Sequence, residues 1–358
     1  MLEYKPHPMS LWKRSYTYRD IGLVPTQEST IESRTNINLY RDSCLIDDCI
    51  PVIAAPMVKV VGSELAQNLV TRDFPVVLPR TDYVEDDLKL WRETVAGLDS
   101  RTSNKLFFSV PAKDALTRIR AALKLNNPPQ RFCIDVANGF STVVQNALEE
   151  LVELPEHFKF IAGNVASIQG YKFLADLGLD AVRVGIGGGS VCSTSLQTGI
   201  GVGQASLVYD IVQYRKALQA QNPLQSYPAI IADGGIKGPG DILKALALGA
   251  DFVMAGGIFA GTDETPGSVI YVDNKKYKSY AGQASMAVKG SNKNVEGVEK
   301  LVAYKGSVHD VVDSIKDGLR SGMSYLNCLS LEDLQHLTEE NFVLLSEASQ
   351  YERTPHAE

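Results

Sequence analysis

The chain has 358 residues, 44% of them hydrophobic, and its 35 Lys and Arg against 42 Asp and Glu leave a net charge of −7. That length suits two medium domains or one large barrel with a sizeable core. The acidic balance argues against a general attraction to nucleic acid or acidic membranes, so an anionic small ligand needs a local site. There is no unbroken apolar run long enough to span a bilayer, and residues 1–14, with Glu3 and two prolines, do not read as a secretory leader. The five cysteines are odd in number and lack a CxxC pair, which predicts a reducing, cytoplasmic home. The five histidines make no HExxH or other close pair on which zinc could be built.

In chain order, the first fifty residues read as an arm crossing the surface. Eight short apolar runs then predict strands: Pro51–Pro56, Pro75–Leu78, Lys105–Val110, Arg131–Val136, Phe158–Val165, Asp180–Ile186, Pro228–Asp233 and Asp251–Gly257. They are apolar nearly throughout, as parallel strands are when both faces are covered. Between them, Ser63–Thr71, Asp87–Leu98, Ala112–Leu125, Ser141–Leu154, Ile168–Leu177, Gln204–Leu218 and Gly240–Leu248 carry helical periodicity. The last of these starts beside Pro239 and stops at Gly249. Eight βα units predict a TIM (β/α)8 barrel, with a doubly wound open sheet as the alternative. Residues 267–306 are rich in Gly, Lys, Asn, Ser and Tyr and read as an excursion over one barrel mouth. Val308–Met323 reads as a closing helix with Asp310, Asp313 and Asp317 on its wet side. One barrel domain over residues 1–345, including the arm at 1–50 and the excursion at 267–306, followed by a flexible polar tail at 346–358, is the expected organisation.

The densest chemical signal runs from Val184 to Thr194, directly after the sixth predicted strand. Its glycines, Gly185, Gly187, Gly188 and Gly189, leave backbone N–H groups uncovered, and these can form an anion-binding nest to which Ser190 adds a hydroxyl. Cys192 is either a small buried hydrophobe or a nucleophile. Thr194 either serves a leaving group or is a loop hydroxyl. After the seventh strand, Asp233-Gly234-Gly235 suits ribose hydroxyls, because a carboxylate accepts two hydrogen bonds while glycine amides stay open. After the eighth, Gly256-Gly257 sits where barrels often hold phosphate. The plain alternative is that these glycines only turn the chain. Asp135, ending the fourth strand, either holds a carboxamide or caps the next helix, and Asn164 shares that ambiguity. Cys133 reads as packing.

Taken together, these motifs resemble the inosine monophosphate dehydrogenase and guanosine monophosphate reductase family. The likeness runs from Tyr18-Arg19-Asp20-Ile21-Gly22-Leu23-Val24-Pro25 to about Leu331. Gly185 to Thr194 is similar to the family's catalytic loop, with Gly188 where proline is usual. Asp233-Gly234-Gly235 resembles its ribose turn and Gly256-Gly257 its phosphate turn. Glu296-Gly297 and Tyr304-Lys305-Gly306 resemble the segment that rejoins the barrel. The resemblance implies substrate contacts from Ser190, Asp233, Gly234, Gly235, Gly256, Gly257, Tyr280, Gly282, Gln283 and Glu296. It implies catalytic roles for Cys192 and Thr194. It also implies a potassium site on the backbone carbonyls of Gly187, Gly189 and Cys192, and a homotetramer.

Asp135-Val136-Ala137-Asn138-Gly139 is especially similar to the reductase branch, in which Asp135, Ala137, Asn138 and Gly139 would contact NADPH. That branch implies attack of the Cys192 thiolate on C2 of guanosine monophosphate, loss of ammonia, and hydride delivery to give inosine monophosphate. The alternatives are an NAD-dependent inosine monophosphate dehydrogenase and a nucleotide-binding homologue without turnover. Residues 286–297 lack the Arg-Tyr pair that dehydrogenases use to activate water. Against the reductase, the stretch Tyr280 to Met286 lacks that branch's glutamate. Met57 resembles the dehydrogenase more, and Leu78-Pro79-Arg80 lacks the histidine common after the second strand.

Overall fold

A computed structural model describes residues 13–43, 45–282, 285 and 297–352. Each predicted apolar run contains a strand: β2 Val52–Ala54, β3 Val76–Leu78, β4 Leu106–Val110, β5 Arg131–Asp135, β6 Lys159–Val165, β7 Ala181–Val184, β8 Ala229–Asp233 and β9 Phe252–Ala255. They pair in parallel in sequence order, and β2 closes on β9 through Val52↔Val253, so the sheet is a closed barrel and the open-sheet alternative falls.

Alternation along the strands explains why these runs are apolar on both sides. Ile53, Val77, Phe107, Cys133, Ile161, Ala181, Ile231, Phe252 and Met254 form the interior cluster. Their neighbours, such as Phe108 and Phe132, are equally buried but pack under the helices. Trp91 meets Phe108 edge to face at 6.0 Å there. One step further along the inward register the apolar layer ends. Asp135 follows Cys133 by two residues, Arg183 follows Ala181, Asp233 follows Ile231 and Gly256 follows Met254. A polar layer thus sits on the apolar one at the carboxyl end of the strands.

The helices begin at ordinary signals. Ser141, Ser167 and Ser307 cap Thr142–Leu151, Ile168–Asp176 and Val308–Tyr325, and Pro239 opens Pro239–Ala247. Ser141, and not Asp135, therefore caps the helix after β5. The segment Ala112–Leu125 splits into a 3-10 turn at Ala112–Asp114 and a helix at Ala115–Ala122. Asp310, Asp313 and Asp317 lie exposed on the closing helix.

Three regions differ from simple connections. The arm does more than cross the surface: Leu45, Ile46 and Cys49 enter the interior cluster and plug the amino end of the barrel. Arg131 Nε donates to the Leu45 carbonyl at 2.8 Å, fastening the plug to the start of β5. Earlier in the arm, β1 Ile21–Leu23 pairs antiparallel with β13 Phe342–Leu344. The excursion is an antiparallel sheet of β10 Ile270–Val272, β11 Lys275–Ala281 and β12 Glu299–Ala303. Its hairpin turns on Asp273 and Asn274, both at positive φ (48° and 61°), as a two-residue turn requires. Within the stretch read as a flexible tail, Glu347–Glu352 is helical and Gln350 donates to Asp20 at 3.1 Å. No helix among the described residues is long and apolar enough to cross a membrane.

Truncating the plug should be costly. Leu45→Ala removes a fully buried side chain, and urea denaturation should show a loss of about 2–5 kcal/mol. A loss within experimental scatter would mean that the arm only lies against the barrel.

Candidate active site at the carboxyl end of the barrel

A cavity of about 810 Å³ opens at this end, lined by the loops after the strands and by the β11–β12 excursion. It gathers Asp135, Ala137, Gly187, Gly189, Ser190, Cys192, Thr194, Asp233, Gly234, Gly235, Gly256, Gly257, Tyr280 and Gly282. Residues far apart in the sequence meet because each of them ends a barrel strand, follows one or belongs to the excursion. Asn138 and Gly139 are not among the residues that line it. Asn138 accepts the Phe140 N–H at 3.1 Å, and buried Gly139 packs against Gly163 and Leu174. Gln283 and Glu296 lie outside the described residues.

The cysteine loop is locked to the turn after β8. The Gly235 N–H donates to the Gly188 carbonyl at 3.0 Å. A Cβ on Gly185 would collide with the Asp233 carbonyl oxygen, so only glycine permits this approach. Within the loop, the Cys192 N–H donates to the Gly189 carbonyl at 3.0 Å, and the thiol donates to the Thr194 hydroxyl at 3.2 Å. Thr194 opens a short helix, Thr194–Thr198. Cys192 also bridges to Gly297, where the excursion returns. Its half-buried sulfur contrasts with Cys49, Cys133 and Cys328, which are buried. Burial pushes the Cys49 and Cys133 thiols up to about 12 and Cys328 to about 11, which leaves them inert at neutral pH.

A second corner is built from Ser190, Tyr280 and Gly257. The Ser190 hydroxyl donates to the Tyr280 hydroxyl at 3.3 Å, and a Cβ on Gly257 would crowd both at 3.2 Å. Burial raises the Tyr280 pKa above its ordinary value, so the phenol stays a neutral donor. Two lysines support this corner from the backbone side. Lys305 Nζ donates to the carbonyls of Gly257 and Ile258 at 3.0 and 2.8 Å, and burial of that head group lowers its pKa. Lys300 Nζ donates to the Ser190 carbonyl at 3.2 Å and lies 5.7 Å from the Tyr280 ring centre. Both carry positive charge to the corner, in a chain whose overall charge is negative.

A third corner was hidden within a strand. Arg183 donates from Nη1 to Asp135 Oδ1 at 2.6 Å, and from Nε and Nη2 to Asp233 Oδ2 at 3.1 and 2.9 Å. Asn164 Nδ2 joins the same Asp233 oxygen at 2.8 Å and holds the Gly185 carbonyl at 2.7 Å. Asn164 is therefore a brace and caps nothing. Among the described residues no donor reaches Asp233 Oδ1, whose lone pairs are left for a ligand. Burial opposes the Arg183 charge, but Asp233 and Asp135 outweigh it, so its pKa stands well above the ordinary arginine value. Arg80 pairs with Asp135 Oδ2 at 3.4 Å and donates to its carbonyl at 3.1 Å. The signal for Arg183 was a lone cation between valines in a buried strand, since such a charge must find partners.

Residues 15–356 match the IMP dehydrogenase / GMP reductase domain. A GMP reductase of Ligilactobacillus salivarius is 36% identical over 316 residues, covering 87% of this chain and 91% of that protein. A GMP reductase of Staphylococcus epidermidis is 35% identical over 322 residues, covering 89% and 94%. An inosine-5'-monophosphate dehydrogenase of Streptococcus pyogenes is 41% identical over 241 residues, covering 62% of this chain and 46% of that protein. A glycine-rich loop carrying one accessible thiol at the carboxyl mouth of an eight-stranded barrel agrees with a domain match over nearly the whole length, and the chain belongs to the IMP dehydrogenase / GMP reductase family.

Proposed function

We propose that the protein is an NADPH-dependent oxidoreductase that converts guanosine monophosphate to inosine monophosphate and ammonia. The observation that carries this reading is the Cys192 sulfur beside Thr194, in the cavity that also holds the Asp233 corner and the Ser190–Tyr280 corner. A nucleoside monophosphate has three parts that match them. The ribose diol donates to the open oxygen of Asp233. The phosphate accepts from Ser190, Tyr280 and the amides of Gly234, Gly256 and Gly257, with Lys300 and Lys305 adding charge nearby. The purine then lies toward the cysteine loop.

The Cys192 thiol gives up its proton through the Thr194 hydroxyl and the thiolate adds to purine C2; the exocyclic amine takes that proton and leaves as ammonia, giving a thioimidate to Cys192. Bound NADPH would supply hydride to C2, after which the carbon–sulfur bond breaks and the thiolate is restored. The protein's own task is to hold the purine carbon against sulfur and to donate to the ring as its charge rises. A dinucleotide would be held beside Asp135 and Ala137, where Arg80 and Lys59 line the cavity and could meet phosphate charge. A potassium ion on the carbonyls of Gly187, Gly189 and Cys192 would hold the loop's shape. The Gly189 carbonyl already accepts the Cys192 N–H and keeps a second lone pair for it. A cytoplasmic homotetramer is part of this reading.

Coverage favours the reductase branch. The two GMP reductases are matched over 91% and 94% of their length, the dehydrogenase over 46% of its length. The higher identity to that dehydrogenase, 41%, keeps an NAD-dependent dehydrogenase as the second reading.

Incubation with guanosine monophosphate and NADPH should consume the cofactor and release ammonia in equal amounts. No turnover there, together with NAD reduction by inosine monophosphate, would establish the dehydrogenase instead. Cys192→Ala should lower kcat by at least about 10³-fold, while calorimetry finds nucleotide affinity within a few-fold of the parent. Asp233→Ala should weaken nucleotide binding by about 1–3 kcal/mol through loss of a charged acceptor. An unchanged dissociation constant would remove Asp233 from the ribose site.

A further inference from the structure

Arg183 is shared between two parts of the cavity that the proposed chemistry assigns to different ligands. Its residue is 6% exposed and its guanidinium lies between Asp135 and Asp233. The contacts use different edges of one rigid plane: Nη1 on Asp135 at 2.6 Å, and Nε with Nη2 on Asp233 at 3.1 and 2.9 Å. The backbone leaves little freedom. Arg183 sits inside β7, and at its neighbour Gly163 on β6 a Cβ would come within 2.6 Å of the Arg183 Cβ. A planar fork in this position cannot tilt toward one carboxylate without leaving the other.

We propose that Arg183 couples the two halves of the cavity, so that a nucleotide diol on Asp233 and a nicotinamide dinucleotide beside Asp135 strengthen each other's binding. This rests on the nucleotide reading above. Hydrogen bonds from the diol pin Asp233, which pins the guanidinium, which pins Asp135. Because the fork cannot tilt toward one carboxylate without leaving the other, a ligand that holds either aspartate in place favours the arrangement that the second ligand meets. Linkage makes the effect reciprocal: each ligand raises the other's affinity by the same factor. Arg183 is a positioning residue in this scheme and need touch neither ligand.

The test is calorimetry with guanosine monophosphate and oxidised NADP, a pair that cannot exchange hydride. The parent protein should bind the nucleotide about five-fold or more tightly when NADP is saturating, and NADP should show the same factor in the reverse titration. Arg183→Lys keeps the charge but offers a point in place of a fork, and the factor should fall to about one. The factor is a ratio within one variant, so partial unfolding lowers the stoichiometry and leaves the ratio alone. Asp135→Asn, which weakens the far end of the fork, should reduce the factor as well and serves if the lysine variant fails to fold. A factor of one in the parent, or an undiminished factor in the variants, overturns the coupling while leaving the function intact. Failure of the parent to bind the nucleotide at all overturns both.

Discussion

An arginine buried between two aspartates organises the mouth of this barrel. Removing such charges from water costs several kcal/mol per ion unless each finds partners of good geometry. Arg183 meets that demand with a short contact to Asp135 and a two-point contact to Asp233. The single cation does not neutralise both carboxylates, and Arg80 on Asp135 and the Asn164 amide on Asp233 complete the set. Because Asn164 also holds the Gly185 carbonyl, the charge cluster fixes the start of the cysteine loop. The position of the Cys192 sulfur thus descends from an ion cluster two strand positions above the apolar core.

Glycine is the other constraint. The cysteine loop and the turn after β8 approach so closely that a side chain on Gly185 would overlap the Asp233 backbone. This contact draws Cys192 and Asp233 together at one mouth of the barrel. Two lysines act on the Ser190–Tyr280 corner through the backbone. Lys305 is held on the carbonyls of Gly257 and Ile258, and Lys300 on the carbonyl of Ser190. Positive charge is thereby concentrated at one corner of an acidic chain, behind the neutral hydroxyls of Ser190 and Tyr280.

The arm and the excursion frame the site from opposite ends. Leu45, Ile46 and Cys49 fill the amino end of the barrel, so the strands stand on a packed floor. At the other end β11 brings Tyr280 over Gly257, and β12 carries the chain back from Gly297, opposite Cys192. The sheet is held down by Lys278, whose buried ammonium donates to the carbonyls of Thr262, Asp263 and Thr265 at 3.0, 3.0 and 2.6 Å.

The eight apolar runs were enough to read the barrel, because parallel strands covered on both faces leave long hydrophobic stretches that local composition records. The glycine clusters after strands six to eight marked the mouth, since free amides at a strand's end are a local property too. The excursion's strands were not legible: Lys275, Lys276 and Lys278 break the alternation, and Lys278 is buried only because three distant carbonyls surround it. The plug was missed for the same reason, as Leu45 and Ile46 form too short an apolar run to declare a core role. That Asp135 and Asn164 belong to one polar cluster could not be read locally, because its centre, Arg183, arrives from another strand. Composition and spacing determine which elements form and where chemistry concentrates. Which charges share a partner is decided by barrel closure, because pairing across β5, β7 and β8 exists only once the strands are in register.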